Sequence, residues 1–197
     1  MKTAINFLFW GYFLIVFNLD IGIDLLPDPL GYILIATGCS KLQTQYPVAQ
    51  KAWIFSTLMI FVSFPTVFVN IGETTSLGWN IYSIALMILK LIVVFFLFSV
   101  LLGIANEYGE SGLLNRTNRV YSLFISLNLL FLTALSFAIN MPEVVGGTIM
   151  IVLIIATLIM EFVFLALLRA IRRAIPNTLA LEIEENKPTF IIEEDHL

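Results

Sequence analysis

Three aspartates, Asp20, Asp24 and Asp28, stand four residues apart near the start of the chain. Asp20 and Asp24 share one face if a helix continues through them. Pro27 and Pro29 must interrupt that helix, because proline has no amide donor. Unwound backbone at membrane depth is tolerated only where it lines a water-filled cavity or is buried in protein, and transporters use such breaks to hold ions. The pattern therefore suggests an outward-facing acidic vestibule that binds a cation.

The same residues have a plainer interpretation, which the sequence leaves open. Asp20 and Asp24 would simply mark the water boundary, while Asp28 caps the next helix and Pro29 takes its first position. The capping role of Asp28 is expected under either interpretation. If a cation does bind, oxygen ligands suit Na⁺, Ca²⁺ or Mg²⁺ better than a transition metal, and the sequence does not identify the metal.

A second set of polar residues, Lys90, Asn128 and Glu161, lies inside long apolar runs. From the basic ends of those runs, a rise of 1.5 Å per residue places Lys90 about 18 Å deep, Glu161 about 10 Å and Asn128 about 12 Å. Charged groups at such depths usually face the bundle interior and pair. A Lys90–Glu161 pair could be a packing clasp between helices or a site that responds to protons or cations. Alternatively, Lys90 extends to the interface.

These residues require helices that cross a membrane. About 20 apolar residues span the hydrocarbon layer, and four runs are long enough, at 52–71, 82–105, 120–138 and 145–168. Aromatic residues mark their ends. Pro65 should kink the first of the four, with Ser63 or Thr66 satisfying the freed backbone groups.

The first 42 residues are harder to assign. The apolar run 7–19 leads into the aspartates, and 30–42 follows as a run of only about 20 Å. These segments form either two crossings joined by an unwound elbow or one crossing with a short re-entrant piece. We favour two crossings, because they place Lys2 on the same side as the other basic residues.

The positions of the basic residues predict how the chain is oriented in the membrane. Apart from Lys90, every Lys and Arg falls in alternate gaps between the apolar runs, whereas the opposite gaps carry acids such as Glu73 and Glu143. This positive-inside pattern predicts a multi-pass protein with both termini in the cytoplasm. The basic residues on the predicted inner side are Lys2, Lys41, Lys51, Arg116, Arg119, Arg169, Arg172, Arg173 and Lys187.

The remaining segments are expected to lie in the cytoplasm. Residues 106–119 are polar and predict a connecting loop, and Pro176 should end the last helix. We therefore divide the chain into a helical bundle at 1–175 and an acidic tail at 176–197. The tail is either disordered or a small hairpin.

Composition excludes several classes of protein. The 197 residues are 59% hydrophobic and 12% charged, with a net charge of −4 and no basic patch suited to nucleic acid. A single cysteine, Cys39, rules out an internal disulfide. The only histidine, His196, is near the C-terminus, and the sequence contains no nucleophile-elbow, zinc-protease or phosphate-loop motif. We therefore nominate no catalytic residue and no cofactor, and lean against an enzyme.

The segment around the aspartates also carries a resemblance. It contains an aspartate, then Leu26-Pro27-Asp28, two further residues, and Gly31-Tyr32 before an aliphatic run. Over about residues 18–42 this resembles small, uncharacterised membrane proteins of Gram-positive bacteria, although Pro29 stands where an aromatic or aliphatic residue is more usual. The resemblance implies a bacterial integral membrane protein and carries no activity.

Together these patterns predict an all-α protein with about six transmembrane helices, the second short and preceded by a proline-broken elbow. The first functional hypothesis is a small permease-like or cation- or proton-responsive protein. The alternative is a non-catalytic membrane subunit that regulates, assembles or protects a partner. The lipid bilayer is the first predicted partner. Because 197 residues are few for a complete carrier, a homodimer or a complex with another membrane protein is the second.

Overall fold

The computed structural model describes residues 1–17, 28–67, 77–109, 111–138 and 140–176. Within these ranges the protein is all-helical, as the sequence predicts. The six α-helices are α1 (Lys2–Val16), α2 (Asp28–Leu42), α3 (Val48–Val62), α4 (Leu77–Tyr108), α5 (Ser111–Ala138) and α6 (Glu143–Ala174), and a 3-10 helix covers Phe64–Val67.

Four segments are long and apolar enough to cross a membrane, at Val48–Thr66, Gly78–Tyr108, Ser111–Phe137 and Val144–Ala174. Helices α1 and α2 have 15 residues each, which corresponds to about 22 Å and is less than a hydrocarbon layer of about 30 Å. The two N-terminal helices are therefore shorter than a full crossing, and six complete crossings remain a prediction.

The outward faces of the long helices are apolar. Phe61 of α3 is 73% exposed, Leu130 of α5 is 55% exposed and Val152 of α6 is 60% exposed. A protein in water would cover surfaces of this size, whereas lipid tails can contact them at no cost. These faces, together with the four long helices, suggest a membrane location.

Helices α1 and α2 form a tightly packed antiparallel hairpin. A Cβ atom at Gly11 would lie 2.6 Å from the carbonyl oxygen of Gly31, and one at Gly38 would lie 2.9 Å from that of Ala4. No Cβ atom fits at such distances, so glycine is what allows the two backbones to approach. The connection between these helices lies outside the described residues.

Basic residues gather at one end of the bundle, which we call the basic end. Lys2 lies beside Arg169 and Arg173, and Arg116 lies beside the same two arginines. This arrangement agrees with the interpretation that places Lys2 on the same side as these arginines, and the number of N-terminal crossings stays a prediction.

A tyrosine–glutamate contact at the basic end joins the α2–α3 connection to helix α4. Tyr46, which precedes α3, donates a hydrogen bond to Glu107 in the last turn of α4. Burial, and secondarily this hydrogen bond, raises the pKa of the Tyr46 phenol above its ordinary value. The phenol therefore stays protonated and remains a donor at physiological pH.

The predicted disruption at Pro65 takes the form of a change in helix type. Helix α3 ends at Val62 and a 3-10 helix covers Phe64–Val67, because proline lacks the amide donor that would continue the α-helix. The hydroxyls of Ser63 and Thr66 donate to the carbonyls of Met59 and Ser63 at this end, as expected.

The predicted loop at 106–119 is mostly helix, since α4 continues to Tyr108 and α5 begins at Ser111. Polar side chains such as Arg116 are good helix formers and continue the helix beyond the apolar run. At the same end of the bundle, the predicted stop is confirmed, because α6 ends at Ala174 just before Pro176.

Candidate functional site

An ion pair joins the middle of two long helices. Lys90 Nζ of α4 lies 2.9 Å from Glu161 Oε1 of α6, and the two side chains are only 29% and 13% exposed. Helices α4 and α6 both end at the basic end, so they run parallel and bring these positions to similar depths. The structure thus places Lys90 in an interhelical pair rather than extended to the interface.

Tyr12 of α1 is the second hydrogen-bond partner of the Glu161 carboxylate. Its hydroxyl donates a hydrogen bond to Glu161 Oε2, the oxygen that Lys90 does not contact. The Tyr12 side chain is 1% exposed, so its hydroxyl needs a partner inside the protein. One carboxylate therefore connects α1, α4 and α6.

Aromatic rings surround this three-residue cluster of Tyr12, Lys90 and Glu161. Lys90 Nζ lies 5.7 Å from the centre of the Tyr12 ring, within range of a cation–π interaction. Tyr12 packs edge-on against Phe164 at 4.5 Å, and Phe164 contacts Phe98 at 4.8 Å. Charges in such apolar surroundings interact more strongly than in water, and each is costly to leave unpaired.

A cavity of about 130 Å³ adjoins the ion pair. Asn128 and Thr157 line it together with Lys90 and Glu161. The Asn128 side-chain amide donates a hydrogen bond to the carbonyl of Phe124 in the same helix, at 2.9 Å. The Asn128 side chain nevertheless lines the cavity. The space is polar on one side and large enough for several water molecules.

Of the predicted acidic vestibule, the structure describes only Asp28. Asp20 and Asp24 lie outside the described residues. Asp28 stands in the first turn of α2, directly before Pro29, and its role as the helix cap stays a prediction. The vestibule as a cation site stays a prediction.

Tyr32 of α2 is a second buried tyrosine of the N-terminal hairpin, with 2% of its side chain exposed.

The chemistry available to the cluster is proton and hydrogen-bond chemistry. Among the described residues, no group of three or more His, Cys, Asp or Glu side chains is placed to hold a metal. Glu161 is a single carboxylate already paired with an ammonium, so a proton or a cation would have to compete with Lys90. Cys39 is buried at 1% exposure and lies in the core.

Sequence reasoning missed Tyr12. The available signal was a phenol in the middle of the first apolar run, because a buried tyrosine hydroxyl needs a hydrogen-bond partner. Tyrosines are common in membrane helices, so Tyr12 did not stand out in the sequence. Its partner became apparent only from the packing of α1 on α6.

No protein-family model matches this chain, and comparisons with curated proteins and with solved structures give no match. The function is therefore inferred from the Tyr12–Lys90–Glu161 cluster and its surroundings.

Proposed function

We propose that this protein is a small permease-like protein of a bacterial cell membrane, in which Glu161 responds to a proton or a cation. One observation carries the proposal. A single carboxylate is held by Lys90 on one oxygen and by Tyr12 on the other, beside a cavity of about 130 Å³. Ionisable residues inside membrane segments are costly and commonly mark proton or ion pathways.

Neutralising Glu161 would change the contacts of three helices at once. A proton on the carboxylate removes the charge that attracts Lys90, and a cation in the cavity competes for the same oxygens. Among the described residues, Tyr12 of α1 and Lys90 of α4 contact Glu161, while α5 presents Asn128 to the same cavity. The interface of α1, α4 and α6 is then the element that would shift.

The proposed orientation places the basic end in the cytoplasm, with a multi-pass chain and both termini inside. Asp20, Asp24 and Asp28 would then lie toward the outer surface and attract cations to the bundle.

The test is the thermal stability of the purified protein across pH values and a panel of cations. Glu161→Gln is compared with Glu107→Gln, a matched control whose carboxylate also accepts a tyrosine hydrogen bond but lies at the basic end. A ligand at about 100 times its dissociation constant adds roughly 2.7 kcal/mol to the folded state. We expect a pH- or cation-specific rise in melting temperature that disappears in Glu161→Gln and persists in Glu107→Gln.

The vestibule is tested in the same experiment with Asp20→Asn and Asp24→Asn. Loss of a cation response in both variants would assign the acidic cluster to binding. An unchanged response in Glu161→Gln would instead show that the buried pair is a packing clasp, and the proposal would fail.

A second candidate is a non-catalytic membrane subunit that regulates, assembles or protects a partner. Helix α5 favours it, because only 11% of the most apolar window of its span is buried within the protein. A face this open suits a second copy of the chain or another membrane protein. Crosslinking from Leu130→Cys on α5, followed by co-purification, would support this candidate if it captured one defined product without any ligand response.

A further inference from the structure

A groove of about 530 Å³ runs along the outside of the bundle between α1 and α6. We call it the α1–α6 groove and define it by Phe9, Phe13, Phe17, Phe162, Arg169 and Arg173. Neither Tyr12 nor Glu161 lines it, so it is distinct from the cluster described above.

The floor of the α1–α6 groove is aromatic. Phe9, Phe13 and Phe17 are spaced four residues apart and therefore share one face of α1, with ring centres 6.1 Å and then 4.2 Å apart. Phe17 meets Phe162 of α6 at 5.8 Å. Ala166 and Ala170 also line the groove, and their small side chains make it deeper along α6.

One end of the groove is strongly basic. Arg169 and Arg173 line the groove and also a second pocket of about 420 Å³, which they share with Lys2 and Arg172. Arg116 of α5 reaches the groove from the other side. Among the described residues, no acidic side chain lines either space.

Arg169 is held in position at the junction of the two spaces. Its guanidinium carbon lies 4.6 Å from the centre of the Phe9 ring, which is stacking distance for a cation–π interaction. A planar guanidinium fixed in this way can present two N–H donors to a phosphate oxygen pair.

We propose that the α1–α6 groove binds an anionic phospholipid. The headgroup phosphate contacts Arg169 and Arg173 at the basic end, and one acyl chain lies along Phe13 and Phe162. Basic pockets between membrane helices on the cytoplasmic side suit anionic headgroups.

The dimensions favour a lipid over a free anion. From Arg169 back to Phe162 the helix extends about 10 Å, so the aromatic floor leads from the basic end toward the bilayer centre, as the acyl chain of one leaflet does. A soluble phosphate would use the arginines but would leave the aromatic floor without an occupant.

The test titrates the purified full-length protein in detergent with phosphatidylglycerol, with phosphatidylcholine carrying the same acyl chains, and with inorganic phosphate. The readout is the melting temperature. We expect a saturable rise with phosphatidylglycerol, a much smaller rise with phosphatidylcholine, and none with phosphate at equal concentration. Equal responses to the two lipids, or a full response to phosphate alone, would overturn the proposal.

Matched variants locate the binding. Arg169→Gln should raise the half-maximal phosphatidylglycerol concentration about tenfold, the loss expected for one charge-assisted contact. Arg119→Gln, an exposed arginine that lines neither space, should not. Arg173→Gln replaces Arg169→Gln if losing the Phe9 contact unfolds the protein. Equal weakening in Arg119→Gln would indicate diffuse charge attraction and contradict a site.

The acyl-chain contact has its own pair of variants. Phe162→Ala removes an aromatic side chain from the groove, while Phe137→Ala removes a similarly exposed one from α5 (46% and 56% exposed). We expect weaker phosphatidylglycerol binding only in Phe162→Ala. Because the groove does not include Glu161, a failure here leaves the response of Glu161→Gln to pH and cations as a separate result.

Discussion

The hydroxyl of Tyr12 and the carboxylate of Glu161, separated by 149 positions in the chain, form a hydrogen bond in the centre of the bundle. This contact attaches the short α1–α2 hairpin to α6. Because the other carboxylate oxygen binds Lys90, the contact also couples the hairpin to α4. One glutamate therefore contributes to the contacts of α1 with both α4 and α6.

Replacing Tyr12 with phenylalanine should lower the free energy of unfolding by about 1–2 kcal/mol, the range for a hydrogen bond to a buried charged group within a membrane bundle. The ring remains to pack on Phe164, so the loss reports the hydroxyl. Denaturant or thermal unfolding in detergent measures it. Tyr46→Phe, whose partner Glu107 lies at the basic end, is the control and should show a smaller loss. Equal losses would contradict a special role for Tyr12.

The Lys90–Glu161 pair is expected to be strongly coupled. Lys90→Met or Glu161→Gln alone should cost about 1–3 kcal/mol, because each leaves a charge without its partner in apolar surroundings. The double variant should lose less than the sum of the two. A double-mutant cycle on unfolding free energies measures this coupling, and additive losses would show that the 2.9 Å contact contributes little.

The α1–α2 hairpin should be sensitive to a single methyl group. In Gly11→Ala the new Cβ atom would meet the Gly31 carbonyl oxygen at 2.6 Å, which forces the helices apart and costs about 1–3 kcal/mol as an overpacked contact. Gly112→Ala is the matched control, since nothing lies within 4 Å of its Cβ position. The control should be neutral or stabilising by up to about 1 kcal/mol from helix propensity. A melting temperature unaffected by Gly11→Ala would contradict the close approach.

The proposed orientation can be mapped with thiol reagents in intact cells. The only cysteine, Cys39, is 1% exposed, so the unmodified protein should react little with a membrane-impermeant maleimide. Asn140→Cys, between α5 and α6, should react from outside. Asn115→Cys, near the start of α5 at the basic end, should react only after the membrane is permeabilised. The reverse pattern would place the basic end outside and contradict the proposed topology.

Much of the fold could be predicted because the signals are local along the chain. The four long apolar runs became helices long enough to cross a membrane, since length and hydropathy alone decide which segments suit hydrocarbon. The end of α6 before Pro176 was also predictable, because proline lacks the amide that would continue the helix. The boundary between α4 and α5 was not, since polar residues continue a helix as readily as they form a loop.

The sequence by itself determined the all-α class, the positions of the long helices and the presence of charges at Lys90 and Glu161, because a charged residue in an apolar run is visible from composition. Only the tertiary structure decided that these two charges pair, that Tyr12 binds the second oxygen of the carboxylate, and that Phe9 of α1 and Arg169 of α6 meet at one groove. The physical reason is that such contacts depend on which faces of distant helices pack together. In α1 and α2 that packing depends on the absence of a Cβ atom at Gly11, a detail that hydropathy and charge do not reveal.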